Sequence, residues 1–212
     1  MPDGYSRGEG VSKQTLVHRT AQVDDCRDLD GISPARRCFD VAVTRLICRF
    51  LLFLAGHWLC IFNVVIGVFA GLPFLAPYLV KQGYQVPAGA IYFFYHVIGG
   101  CHQMPERSFF LWGHQMAYCQ RDAAIYTSVF AMGLAYVLLR QRLNPLDWRL
   151  YLLLIAPLVV DGTLQLIGVY ESLWQVRVFT GILFGVANVW FMYPRIEIVT
   201  LDSRESLRQL IS

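Results

Sequence analysis

The chain alternates long apolar stretches with short polar breaks. From Phe50 to Val80 there are 31 consecutive uncharged residues. A helix rises 1.5 Å per residue, so about 20 residues cross the hydrocarbon layer of a bilayer, and this stretch is long enough for one span. Pro73 and Pro77 predict that the helix breaks near Gly71 and runs on as an interfacial Leu-Pro-Phe-Leu-Ala-Pro corner. Three further spans are expected, at roughly 123–139, 150–169 and 178–193. Between the first and second of these lies a stretch, 81–122, whose apolar core at 88–100 is too short for a normal span; it reads as an interfacial or re-entrant hairpin. The predicted fold is all-α: a polytopic transmembrane bundle of about four spans plus that hairpin.

Composition agrees. Of the 212 residues 56% are hydrophobic and only 16% charged, against about 25% charged in soluble domains. A soluble surface needs more charge than this, and general disorder needs much more. The net charge of +3 is too small to argue for nucleic acid as a partner. The lipid bilayer is the expected surrounding.

Charge is also unevenly placed. Residues 1–49 hold eight of the 18 cations and seven of the 15 anions, with Asp24, Asp25, Asp28 and Asp30 clustered and no sustained helical period. The predicted organisation is therefore a polar cytoplasmic tail at 1–45, a transmembrane helical domain at 46–195 and a short cytoplasmic tail at 196–212. No apolar run starts near Met1, so no cleavable signal peptide is expected. Ten cations flank the membrane on the side of the termini (Arg36 and Arg195 among them), against Lys81, Arg107, Arg121 and Arg177 on the other. The excess of positive charge places both termini in the cytoplasm and the 81–122 stretch at the outer face.

Candidate chemistry concentrates in that stretch. Cys101, His102, His114, Cys119 and Asp122 fall within 22 residues, with His96 just upstream. Thiolate, imidazole and carboxylate are the ligand set of zinc, and thiolate with imidazole also suits copper. Cys119 and Asp122, three apart at a helix start, can share a face; Asp122 could equally be that helix's N-cap. For Cys101 and Cys119 three readings stay open: a metal site, a disulfide on an oxidising face, or inert thiols. Cys26, Cys38 and Cys48 read as free thiols near the cytoplasm, and Cys60 as a small core residue of the first span.

Two ionisable groups fall inside spans. Asp161 needs a partner; Gln165 shares its helix face, and Arg121, Arg107 and Arg177 are cations that could reach it. It reads as a buried tie between helices ahead of a proton or ion path, because no second membrane acid accompanies it. His57 lies beside Trp58 in the first span. A membrane histidine can ligate a tetrapyrrole, but without a second histidine at that depth a hydrogen bond to a neighbouring helix is expected. The aromatics Tyr92, Phe93, Phe94, Tyr95, Phe109, Phe110 and Trp112 read as interfacial anchors.

Several motifs occur in one order: Cys101-His102-Gln103-x-Pro105-Glu106-Arg107-Ser108-Phe109-Phe110, Cys119-x-Arg121 followed by Ile125-Tyr126, Asp161-Gly162-x-x-Gln165-Leu166, Glu171-Ser172, and Arg177-x-x-Thr180-Gly181. Together they resemble an uncharacterised prokaryotic membrane-protein family, catalogued as domain of unknown function 2085, over roughly 70–195. The resemblance implies the cell membrane of a bacterium or archaeon and supplies no activity. Many members resemble a Cys-x-Arg-Cys pattern at the second motif; here Asp122 replaces its second cysteine, which removes a possible Cys-x-x-Cys redox pair and leaves a carboxylate able to ligate a metal. The sequence holds no nucleophile elbow, P-loop or His-Glu-x-x-His motif. A non-catalytic accessory subunit of a larger membrane complex, with an outward Cys/His metal site or disulfide, is the leading expectation. The alternatives are a thiol–disulfide or metal-dependent oxidoreductase and a metal or ion transporter using Asp161.

Overall fold

A computed structural model describes residues 34–211. They form five helices and one two-stranded sheet: α1 (Pro34–Lys81), α2 (Gln85–Val97), a single 3-10 turn (Pro105–Arg107), β1 (Ser108–Leu111), β2 (His114–Cys119), α3 (Gln120–Leu139), α4 (Trp148–Leu166) and α5 (Trp174–Ile211). Four helical segments are long and apolar enough to cross a membrane: Phe39–Lys81, Gln120–Leu139, Trp148–Leu166 and Trp174–Gln209. The expected four-span helical bundle is the architecture found. Cys26 and the Asp24–Asp30 cluster lie outside the described residues. Residues 34–56 and 200–211 belong to one compact unit and 57–199 to another; the candidate chemistry lies in the second.

The first span corrects the expected break. α1 runs through Pro73 and Pro77 to Lys81, and both prolines are fully buried. A proline inside a helix orphans the carbonyl four residues before it, here that of Phe69. The Tyr95 hydroxyl of α2 donates to that carbonyl, and the Tyr118 hydroxyl of β2 donates to the next one, Ala70, at 2.9 Å. With the Phe69 carbonyl answered from outside, Pro73 does not end the helix.

Tyr95 and Tyr118 are each 1% exposed, in a core with Ala76, Cys101, Met116, Ala117 and Ala123. Tyr92 donates to the Gln115 carbonyl. Tyr95 is therefore a core residue and Tyr92, half-buried, packs against that core, rather than both being the interfacial anchors expected, while Phe93, Phe110 and Trp112 are exposed. Cys60 is also exposed, so it is not a core residue.

The stretch expected to form a hairpin is a 13-residue helix followed by a β-hairpin. Trp112 and Gly113, at φ 54° and 82°, make its two-residue turn, the left-handed pair that matches the twist of antiparallel strands. β1 and β2 pair Ser108 with Cys119 and Leu111 with His114, with a bulge between Ser108 and Phe110.

α3 packs tightly on α5 through small residues. A Cβ added to Gly181 would sit 2.8 Å from the Arg121 carbonyl, and one on Gly185 2.0 Å from Ser128 Oγ. The pair is a small-x-x-x-small seam of the kind that brings membrane helices into backbone contact.

If Tyr95 answers the carbonyl that Pro73 orphans, Tyr95→Phe should cost about 1–2 kcal/mol in detergent unfolding. In a Pro73→Ala background, where position 73 regains its N–H, the cost should shrink. Equal costs in the two backgrounds would refute the account.

Candidate functional site

The site forms where three local structures meet. α2 ends at Val97, and Gly100 at φ 63° turns the chain into Cys101. His96 Nδ1 lies 3.2 Å from the Cys101 carbonyl and holds the turn closed. Gln103 adopts a left-handed φ of 51°, uncommon for a residue with a side chain. Its amide nitrogen donates to the Tyr92 and Ala117 carbonyls, both at 2.8 Å, and its own carbonyl accepts from Gln115 at 2.6 Å. Gln103 thus locks the Cys101 segment between α2 and β2. Cys119, the last residue of β2, is also the N-cap of α3.

Cys101 Sγ, Cys119 Sγ and an Asp122 carboxylate oxygen all lie within 4.8 Å of one another. Cys101 Sγ accepts the Cys119 backbone N–H at 3.1 Å, and Cys119 Sγ donates to Asp122 Oδ2 at 3.1 Å. Both thiols are free. The contact with the Cys119 thiol holds the Cys101 thiol below its ordinary range, against the opposing effect of burial. The same contact, with burial and the Asp122 charge, pushes the Cys119 thiol up. Of the two, Cys101 is the readier thiolate.

Asp122 is the third residue of α3 rather than its N-cap, because the helix starts at Gln120. His102 is exposed and lines the same cavity as the thiols. His114 sits at the far end of β2, pairing with Leu111, and the structure does not bring it to the thiols. His57 is exposed on α1 and is not among the cavity residues.

That cavity has a volume of about 390 Å³. Cys101, Cys119 and Asp122 line it, together with Arg107, Arg121, Gln165 and Arg177. Asp161 is 4% exposed and the single buried residue of α4. It accepts from Arg121 and from the Tyr170 hydroxyl. Arg121 also donates to Gln165 at 3.1 Å, so one guanidinium joins the start of α3 to both polar residues of the α4 face. Arg177 donates to Gln120 at 3.1 Å, and Arg107 stands 3.8 Å from Glu171. Of the three cations that could reach Asp161, Arg121 does. Gln103 belongs to the Cys101 motif, but the roles of Gln103, Gln115 and Tyr170 were not legible in the sequence, since each is set by partners 9 to 14 residues away.

The family model described as "Predicted membrane protein", domain of unknown function 2085, matches residues 101–191. An uncharacterized protein of Methanocaldococcus jannaschii is 40% identical over 129 residues, which cover 57% of this chain and 81% of that relative. One from Methanothermobacter thermautotrophicus is 36% identical over 86 residues, 41% of this chain and 78% of its own. No solved structure matches.

Removing one partner of a buried ion pair strands the other charge. Asp161→Asn should therefore lower stability by about 3 kcal/mol, and adding Arg121→Gln should cost less than the two single changes summed. Strict additivity in thermal unfolding would show that the two side chains do not depend on each other.

Proposed function

The chain belongs to the domain of unknown function 2085 family of membrane proteins, and from that premise we propose that it is a metal-binding membrane protein, with Cys101, Cys119 and Asp122 as three ligands of a zinc-type ion. The observation that carries this reading is the gathering of two sulfurs and a carboxylate within 4.8 Å. Two thiolates on one tetrahedral zinc, each at ~2.3 Å, stand about 3.8 Å apart. The three groups need shift only slightly to meet one ion. Copper(I) is the competing occupant, because it favours thiolates; the carboxylate favours zinc.

Supporting structure surrounds the ligands. His96 and Gln103 fix the Cys101 backbone, and Cys119 and Asp122 ride on one helical turn. Such outer contacts hold ligands in register. All three would-be ligands line the cavity, which His102 also lines. With ten cations on the side of the termini and four opposite, the termini lie in the cytoplasm and the site at the outer face. An ion there ties the 101 segment to the first turn of α3. That is a staple suited to an accessory subunit working beside other membrane proteins.

Metal analysis of the detergent-purified chain after zinc reconstitution should find one zinc per chain. Cys101→Ser and Cys119→Ser should each weaken zinc binding by on the order of 100-fold, and His114→Ala should leave it unchanged. Wild-type protein that holds no stoichiometric metal, or an intact mass showing Cys101 and Cys119 already joined as a disulfide, would overturn the reading.

A further inference from the structure

The arginine side of the cavity offers more hydrogen-bond donors than its own residues can answer. Arg177 is 6% exposed. It forms no ion pair among the described residues, and its hydrogen-bond partner is the neutral Gln120. Arg107 reaches only Glu171, whose side chain is 80% exposed, and at 3.8 Å; a contact of that kind neutralises little. Arg121 is committed to Asp161 and Gln165. The Nε atoms of Arg107, Arg121 and Arg177 and the amide nitrogen of Gln165 are buried without a hydrogen-bond partner. All four residues line the one cavity.

Buried donors are normally answered, and an unpaired buried charge is among the most expensive groups a protein can keep. The positions of two arginines add to the cost. Arg121 is the second residue of α3 and Arg177 the fourth of α5, so each cation sits at the positive end of a helix dipole. An anion there reverses the sign of both effects.

We propose that this cavity binds a phosphoryl oxyanion, with Arg177 as its central partner and Arg107, Arg121 and Gln165 completing the cradle. A carboxylate presents two oxygens in one plane, which a single guanidinium fork satisfies. A phosphoryl group spreads its oxygens over three directions and can take donors from three arginines at once. The volume of about 390 Å³ lies in the range of small-ligand pockets. The phosphoryl group can come from a soluble phosphate or from a phospholipid headgroup. Leu166, 86% exposed at the end of α4, and Met104, 39% exposed, border the cavity and could lie against acyl chains. The inference goes beyond the metal reading and uses different atoms.

The test uses the full chain purified in detergent, treated with chelator so that metal plays no part. Inorganic phosphate is titrated at constant ionic strength against chloride, and thermal unfolding is followed. Phosphate should raise Tm saturably, as a ligand of the folded state does. Arg177→Gln should cut the apparent affinity at least tenfold. Arg107→Gln, at the half-exposed rim where folding is not at stake, should cut it severalfold, with Arg107→Lys between the two. Native mass spectrometry then assigns the source. A phosphate-bearing phospholipid retained through delipidation and displaced by phosphate supports a headgroup, and phosphate saturation of lipid-free protein supports a soluble ligand. Folded wild-type protein that binds neither, or Arg107→Gln that binds phosphate as the wild type does, overturns the proposal. Zinc content of untreated protein is read separately, so failure of the metal reading leaves this result standing.

Discussion

A backbone carbonyl inside a bilayer has no water to turn to, and much of this protein's arrangement follows from one such carbonyl. Pro73 takes away the N–H that would have answered Phe69. Tyr95 supplies the missing donor from α2, and Tyr118 of β2 donates to the adjacent Ala70 carbonyl. These two bonds bring the short helix and the hairpin onto the first span. Tyr118 immediately precedes Cys119, and Tyr95 immediately precedes His96, which holds the Cys101 carbonyl. A local defect in one span thereby fixes where both thiols stand.

What could be read from the sequence divides along the range of the forces involved. The spans were legible because hydropathy is summed over some twenty residues and lipid penalises every exception. The Cys119–Asp122 pairing was legible because three residues along a helix is a fixed distance. The break at Gly71 was misread because the proline rule is local, whereas its remedy comes from residues 26 and 48 positions away. His114 looked as near to the thiols as His102 because the β-hairpin was not foreseen. Residues five apart on a strand face opposite sides, so proximity in sequence misled. Gln103 stands in the Cys101-His102-Gln103 motif, but its role could not be read there: it rests on a left-handed backbone and on carbonyls 11 and 14 residues away.

The scarcity of charge acquires a different meaning in the folded chain. In α4 one buried residue, Asp161, shares a face with Gln165, and that face meets Arg121. Arg177, Gln120 and the Ser108 carbonyl form a second chain of polar contacts alongside. Arg121, Gln165 and Arg177 line the same cavity as the thiols, and the Gly181–Gly185 seam lets α3 and α5 approach closely beside it.

The Arg121–Asp161 contact also bears on how the protein is made. An acid at the centre of a lone apolar helix costs about 2.5–3.5 kcal/mol to insert. Arg121 precedes Asp161 by 40 residues, so it has left the ribosome before α4 reaches the membrane. The fourth helix therefore enters a bilayer in which its counter-charge already waits. The order of the chain thus delivers the counter-charge of Asp161 before the helix that needs it, and pairing with it offsets part of that cost.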